Sequence, residues 1–195
     1  MAEAVAHHKG STVASVGELF LDRVELTPDW EAFRRPNNPG WQSYTWGETG
    51  EIVERWAAGL LALGVEPEQR VAIASSTILD WIWADLAIMC AGAATTTVYP
   101  STPTEDVAYI VSDSGSVVIF AEDKVQLEKI LAVREEIPAV HKVVLLTDFD
   151  AADGDFSISA DELARRGKEL LAQDSDVVRR TVAAVKPDSL ATIIY

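Results

Sequence analysis

The sequence predicts an α/β domain built on a parallel sheet, with helices on both faces. The main indication is the stretch 70–121, in which short apolar or β-branched segments alternate with segments of helical length. Parallel strands need a long crossover connection, so this alternation is typical of βαβ units. The segments are nearly continuous in apolar character, as strands covered on both faces are. The three predicted strands are Arg70–Ser75, Ala94–Pro100 and Val117–Ala121.

Composition excludes several classes of protein. The chain has 195 residues, of which 48% are hydrophobic, enough for one well-buried core. The formal net charge of −15 opposes binding to nucleic acid or to anionic membranes, since phosphate contact needs clustered Lys and Arg. The single cysteine, Cys90, lies in an apolar helical run and is interpreted as a small buried hydrophobic residue. One cysteine, and the absence of a signal peptide or an apolar run of membrane-spanning length, favour the cytoplasm.

Helix-start signals and turn residues organise the first part of the chain. Ser15 followed by Glu18 predicts a capping box and a helix, which Pro28 ends. The turn cluster 36–40 separates two short strands, Ala32–Arg35 and Gln42–Tyr44, which we expect to pair as a hairpin.

A second helix is predicted from Thr45, which forms a capping box with Glu48, to about Leu63. Its apolar residues share one face, and Gly64 follows as the residue that can adopt positive φ.

The helix that starts near Thr77 is apolar nearly all round, so we expect it to be buried on all sides and to end at Gly92. Thr102 and Glu105, with Pro103 between them, predict a third capping box and another helix.

The second half continues the alternation of helices and strands. Asp123 is expected to cap a helix, and Lys142–Leu146 to form the next strand. The acidic stretch 147–159 lacks the spacing of an EF-hand loop, so a solvated surface loop is favoured over a calcium site. Ser159 and Glu162 predict a further capping box and helix. Residues 174–186 are expected to form a short helix or loop, and Leu190–Tyr195 a final strand inside the sheet.

The residues alone do not indicate a reaction. The sequence contains no G-x-G-x-x-G, Walker A, G-x-S-x-G, C-x-x-C or H-E-x-x-H motif. His141 directly precedes a strand, and we interpret it as structural. By these criteria the chain is an α/β domain of unknown activity.

The order of segments nevertheless resembles the N-terminal part of the adenylate-forming acyl-CoA synthetases, a superfamily that also contains firefly luciferase and nonribosomal adenylation domains. Ordered matches to that superfamily's early motifs carry the resemblance from about Ser15 onwards, although Glu68 and Gln69 replace the usual Gly-Asp. The matching stretches are Tyr44–Glu48, Gly64–Ile73, Met89–Ala93 with Tyr99–Pro100, Ala108–Ile110 and Asp113–Ser114.

Within the superfamily, Tyr99–Pro103 looks most like the long-chain fatty acid–CoA ligase branch. The resemblance implies an ATP-dependent ligase that forms an acyl-adenylate and then an acyl-CoA, using ATP, Mg²⁺ and coenzyme A, with a long-chain fatty acid as substrate. Leu190–Tyr195 resembles the strand that leads into the family's phosphate loop. We therefore expect an inactive N-terminal fragment, with a flexible start over residues 1–14 and a partial α/β subdomain over 15–195.

No catalytic residue and no metal ligand of the family can be carried over to this chain. Ligands of open α/β sheets gather beyond the carboxyl ends of the strands, so the positions after Ala74, Val98 and Ala121 are the expected cleft side. Tyr99 is the candidate substrate-binding residue there, and Tyr195 is a candidate because it adjoins the expected phosphate loop.

Two alternatives stay open. The first keeps the enzyme class and changes the acid to an aryl, medium-chain or amino acid. The second is a stand-alone flavodoxin-like binding or interaction module, which would have a complete, satisfied sheet edge. A truncated synthetase would instead expose apolar surface, which a homodimer could cover.

Overall fold

The protein is described by a computed structural model that covers residues 13–195. Most of the stretch 1–14, for which we predicted flexibility, lies outside the described residues. The strands are β1 (Glu31–Pro36), β2 (Trp41–Thr45), β3 (Arg70–Ala74), β4 (Ala94–Val98), β5 (Ser116–Ala121), β6 (Lys142–Leu145), β7 (Ser157–Ser159) and β8 (Thr192–Ile193). The helices are α1 (Val16–Leu26), α2 (Trp46–Ala62), α3 (Leu79–Cys90), α4 (Thr104–Ser114), α5 (Lys124–Ala132), α6 (Ala160–Gln173) and α7 (Val177–Ala184).

The central sheet has six parallel strands in the order β7-β6-β5-β3-β4-β8. Alternate residues of each strand face opposite sides, because successive side chains of a strand point in opposite directions. In β3, Val71 and Ile73 face one buried cluster and Ala72 and Ala74 face the other. The cluster around Val71 is covered by α1, α2, α3, α6 and α7, and the other by α4 and α5. The prediction of a parallel sheet with helices on both faces is confirmed.

The predicted hairpin and the second helix are also confirmed. Strands β1 and β2 pair antiparallel. The Thr45 hydroxyl accepts from the amide of Glu48, whose carboxylate accepts from the amide of Thr45, so the capping box is complete. Gly64 has φ +87°, and its amide and that of Val65 donate to the carbonyls of Leu61 and Leu60. This is a Schellman ending, which satisfies carbonyls left open by the last turn of α2.

Three predicted capping boxes need correction. Ser15 and Ser159 each cap their helix through the side chain, but neither capping box is completed. The carboxylate of Glu18 accepts from the amide of Ala14 instead, and Glu162 pairs with Arg165 and Arg166.

At α4 the predicted box is wrong. Pro103 is itself the N-cap, with ψ 157°, and it has no side-chain donor or acceptor. The helix therefore begins one residue later than expected, at Thr104, while the amide of Thr102 donates to the carbonyl of Tyr99 in a turn.

The expectation that α3 is buried on all sides is wrong. Trp83, Ala87 and Cys90 are buried, but Trp81, Asp85 and Met89 are only partly covered. These three residues are spaced by four and therefore share one face of the helix. That face borders a cavity described below. The end of the helix at Gly92 (φ +70°) is as predicted.

The acidic stretch contains structure that we did not predict. It holds a 3₁₀ turn at Phe149–Ala151 and the edge strand β7, which pairs with β6. The Asp153 carboxylate accepts from the amides of Ser157 (2.9 Å) and Asp155 (3.0 Å), and these bonds hold the pKa of Asp153 below its ordinary value despite some burial. Asp153 therefore closes the turn that leads into β7.

The last predicted strand lies at the edge of the sheet and is shorter than expected. Only Thr192 and Ile193 pair, in parallel, with β4. Ile194 is 72% exposed. Within residues 13–195, no helix combines the length and the apolar character that crossing a bilayer requires.

Candidate functional site

A cavity of about 400 Å³ lies at the carboxyl edge of the sheet, between α3 and the β4–β8 side. The chain passes this edge at Ser75 after β3, at Tyr99 after β4 and at Glu122 after β5, the three positions expected on the cleft side. The volume is within the range of small-molecule pockets, about 300–1,000 Å³. The cavity is lined by Ser75, Ser76, Thr77, Trp81, Asp85, Met89, Thr95, Thr97, Val98, Tyr99, Pro100, Thr192 and Ile194.

The wall of this cavity is mainly apolar, with a few polar groups. Trp81 and Met89 supply one side from α3, and Val98 and Ile194 supply the other from the sheet edge. Such a surface excludes water from an apolar ligand, and the polar groups limit how the ligand can be oriented.

Asp85 is the acidic group in this wall. Its Oδ1 atom accepts a hydrogen bond from the hydroxyl of buried Thr95 at 2.6 Å. Burial raises the pKa of the Asp85 carboxyl above its ordinary value, and the hydrogen bond from Thr95 opposes that rise. The amide of Thr95 donates to the carbonyl of Ala191 at 3.0 Å. Thr95 thus connects Asp85 of α3 to Ala191, the residue directly before β8.

Glu122 organises the end of β3. A single carboxylate oxygen, Oε2, accepts from the amide of Ser76 (2.7 Å), the hydroxyl of Ser76 (2.6 Å) and the hydroxyl of Ser75 (3.3 Å). Burial alone would raise the pKa of Glu122, but these three bonds favour the ionised form and bring it below its ordinary value. The carboxylate is therefore charged at neutral pH.

The two tyrosines predicted as site residues lie in different places. Tyr99 is at the rim of the cavity, with 63% of its surface exposed. Tyr195 turns away onto α4, where its hydroxyl donates to the Asp113 carboxylate at 2.7 Å and its ring packs edge-on against Tyr109 at 6.1 Å. Burial and the neighbouring Asp113 carboxylate raise the pKa of Tyr195 to about 12. Tyr99 therefore borders the cavity, and Tyr195 does not. A substrate-binding role for either residue stays a prediction.

Sequence reasoning missed most of the polar residues of this edge. The signal for Asp85 was present, because Asp85 and Asp80 are the two charged residues of an otherwise apolar helix, and Asp85 is spaced by four from Trp81 and from Met89. For Glu122 no local signal existed, because its partners lie 46 and 47 residues earlier in the chain.

A larger cavity of about 580 Å³ lies at the opposite, amino edge of the sheet, between α7 and the loop before β3. Glu68 borders it, and its side chain accepts from the amide of Leu190 at 3.0 Å. Ligands of parallel sheets gather at the carboxyl edge, so we place the candidate site at the smaller cavity.

The described residues do not fit a magnesium site. Among residues 13–195, no three His, Cys, Asp or Glu side chains converge in a way that could hold a metal ion. The Glu122 oxygen that faces the β3–α3 loop is occupied by hydrogen-bond donors. We therefore derive no step through a metal ion from these residues.

Cys90 is buried and not activated, as predicted. It is fully covered, and burial together with the charge of Glu54 raises the pKa of its thiol to about 12. At neutral pH the thiol is therefore almost entirely un-ionised and unreactive. We expect a thiol reagent to label fewer than about one in twenty native molecules within minutes, and all molecules in concentrated guanidinium chloride. Rapid labelling of the folded chain would contradict this prediction.

Comparisons with known proteins give a consistent result. A family model described as "AMP-binding enzyme" matches residues 20–195. Long-chain-fatty-acid–CoA ligase FadD15 of Mycobacterium tuberculosis is 29% identical over 181 residues, which cover 93% of this chain and 29% of that protein. The long-chain-fatty-acid–CoA ligase heimdall of Drosophila melanogaster is 35% identical over 137 residues, 68% of this chain and 20% of that protein. This chain thus spans less than a third of the length of these relatives.

Solved structures share the fold. A Mycobacterium tuberculosis fatty acyl CoA synthetase superposes with a TM-score of 0.65 and 21% identity, over 93% of this chain and 32% of that chain. The anthranilate CoA ligase AuaEII superposes with a TM-score of 0.68 and 15% identity, over 80% and 28% of the two chains. At these identities the similarity shows the architecture alone.

Proposed function

Since the chain belongs to the AMP-binding enzyme family, a family of adenylate-forming enzymes, we propose that it is part of an ATP-dependent ligase that joins a long-chain fatty acid to coenzyme A. The observation that carries this proposal is the similarity of 93% of the chain to a curated long-chain-fatty-acid–CoA ligase. The mainly apolar cavity at the carboxyl edge of the sheet supports it as well. We further propose that residues 15–195 form one α/β part of a larger synthetase in the cytoplasm.

The proposed reaction has two steps. A carboxylate oxygen of the acid attacks the α-phosphorus of ATP, the bond to pyrophosphate breaks, and an acyl-adenylate forms. The thiol of coenzyme A then attacks the acyl carbon, loses its proton and releases AMP. Such transfers depend on positioning and on stabilisation of the phosphate charges. The described residues would contribute by excluding water along the apolar wall and by ordering the β3–α3 loop through Glu122.

The identity of the acid separates this proposal from its main rival. The names of the curated relatives favour a long-chain fatty acid, whereas an aryl, medium-chain or amino acid would use the same chemistry. A stand-alone binding module is disfavoured by the match of residues 20–195 to a family of enzymes.

The test is acid-dependent exchange of labelled pyrophosphate into ATP. The complete product of the gene is assayed with palmitate, octanoate and benzoate, beside the 195-residue chain alone. We expect palmitate to support exchange at least about tenfold faster than benzoate in the complete product, a difference of about 1.4 kcal/mol in transition-state stabilisation. We expect no exchange by the 195-residue chain.

Each part of the proposal can fail separately. A preference for benzoate would overturn the assignment of a fatty acid as substrate but would leave the proposed reaction unchanged. Absence of exchange with every acid would overturn the reaction. Exchange catalysed by the 195-residue chain itself would overturn the expectation that this part is inactive alone.

A further inference from the structure

We propose that Glu122 is a positioning residue, which holds the loop 75–77 at the cavity rim in the conformation that the site uses. The part of this inference that concerns catalysis rests on the proposed function, while the part that concerns the loop does not. The loop connects β3 to α3, and its residues Ser75, Ser76 and Thr77 all line the cavity.

The contact between Glu122 and the loop is concentrated on one atom. Oε2 of Glu122 accepts two close bonds from Ser76, from its amide at 2.7 Å and its hydroxyl at 2.6 Å. The Ser75 hydroxyl also approaches Oε2, at 3.3 Å, but it donates at shorter distance, 2.8 Å, to the carbonyl of Ser76. Ser76 is therefore the residue that Glu122 fixes most directly, in both backbone and side chain.

Glu122 can act as a fixed reference because its own backbone is held from both sides. Its amide donates to the carbonyl of Ala74 at 3.0 Å, at the end of β3. Its carbonyl accepts from the amide of Thr147 at 2.8 Å and from the Thr147 hydroxyl. The residue thus spans the ends of β3, β5 and β6. A group that orders a site needs this kind of support from rigid elements.

The loop depends on this contact because it has little other support. Ile78 is the N-cap of α3 and provides no side-chain capping bond. The amide of Ile78 donates to the carbonyl of Ser76 at 2.8 Å, so the start of the helix follows from the position of Ser76. Trp81 lies in the first turn of α3 and lines the cavity. A displacement of Ser76 is therefore passed on to the apolar wall through the first turn of α3.

The charge of Glu122 matters to this arrangement. Hydrogen bonds to an ionised acceptor are about twice as strong as those between neutral groups. Replacement by glutamine keeps the size of the side chain but removes its negative charge. An uncharged amide oxygen then takes the place of Oε2, which accepts both hydrogen bonds from Ser76.

The first experiment measures amide hydrogen exchange of the 195-residue chain and does not depend on activity. We compare wild type with Glu122→Gln, using Glu128→Gln as the matched control, since Glu128 is an exposed residue of α5 whose change alters the charge equally. We expect the peptide that covers residues 76–81 to exchange about tenfold faster in Glu122→Gln, while a peptide from β5 keeps its rate. The control is expected to leave both peptides unchanged.

The second experiment measures kinetics in the complete gene product. For Glu122→Gln we expect KM for the acid to rise about tenfold, with kcat changed less than about threefold, because the loop shapes the binding wall rather than the reacting atoms. Glu122→Asp, which keeps the charge on a shorter side chain, is expected to recover part of this loss.

Two results would overturn the inference. One is a rate of amide hydrogen exchange in residues 76–81 that is the same in Glu122→Gln as in wild type. The other is an equal increase of amide hydrogen exchange in the loop and in β5, which would mean that Glu122 stabilises the whole fold and does not position the loop in particular. If the wild-type enzyme shows no activity with any acid, the proposed function fails. The amide hydrogen exchange experiment still decides whether Glu122 holds the loop.

Discussion

Replacement of Gly167 by alanine is expected to lower the free energy of unfolding by about 3 kcal/mol or more. Gly167 lies in α6 where this helix crosses α2. A Cβ atom at this position would lie 1.8 Å from the carbonyl oxygen of Arg55 and 2.7 Å from the amide nitrogen of Gly59. Both are backbone atoms inside α2, so the clash can be relieved only by moving one helix away from the other. Alanine favours a helix over glycine by only about 1 kcal/mol, which does not offset that loss.

The same crossing can be tested from its other side. A Cβ atom on Gly59 would lie 2.4 Å from the carbonyl oxygen of Leu163 in α6. Gly59→Ala is therefore expected to behave like Gly167→Ala. Because both changes separate the same pair of helices, the double variant should lose less stability than the sum of the single losses.

Urea denaturation followed by circular dichroism measures these effects. The matched control is Lys168→Ala, a substitution at an exposed position next to Gly167 in the same helix, expected to change stability by less than about 0.5 kcal/mol. An unchanged or raised midpoint for Gly167→Ala would mean that α2 and α6 do not approach as closely as described.

Replacement of Phe120 by alanine is expected to cost about 3–5 kcal/mol of stability. Phe120 lies in β5, inside the sheet, and is fully buried. Its ring stacks on Trp56 with centroids 5.8 Å apart and an interplanar angle of 22°. Trp56 in turn meets Trp83 edge-on at 6.3 Å. Removal of the Phe120 ring leaves a cavity beneath the Trp56 indole, and packed strand backbone cannot collapse to fill it.

Phe149→Ala is the matched control, because the same atoms are removed from a side chain that is 43% exposed. We expect it to cost less than about 1 kcal/mol. Thermal unfolding and tryptophan emission of both variants distinguish the sites, since the Phe120 ring stacks directly on the buried indole of Trp56. Similar losses in the two variants would contradict the placement of Phe120 in the core.

The elements that could be predicted from the sequence are those with short-range causes. The Thr45–Glu48 capping box, the helix ends at Gly64 and Gly92 and the turn between β1 and β2 each depend on residues at most five positions apart. The alternation of strand and helix lengths likewise indicated a parallel sheet without any long-range information. At Pro103 the predicted capping box is absent, but a helix does follow, and its start differs by only one residue from the predicted one.

The candidate site was predicted only in its location. The ends of β3, β4 and β5 were expected to border the cleft. Residues after β3 and β4 line the cavity, and Glu122, after β5, accepts hydrogen bonds from its rim. The contact that organises the cavity rim joins Glu122 to Ser76, 46 residues apart, and the link from α3 to the sheet joins Asp85 to Thr95 across a turn. Neither pair has a spacing that marks it in the sequence.

The amino-acid sequence by itself determined the kinds of element and most of their boundaries, because capping, turn formation and hydrophobic alternation act between near neighbours. The family was indicated separately, by the resemblance of ordered motifs to those of the acyl-CoA synthetases. The tertiary structure alone decided the order of the strands, the edge position of β8 and which face of α3 stays partly open. These features depend on which distant segments cover one another. A side chain such as Trp81 is equally apolar in a core and in a cavity wall, and only its neighbours in space distinguish the two.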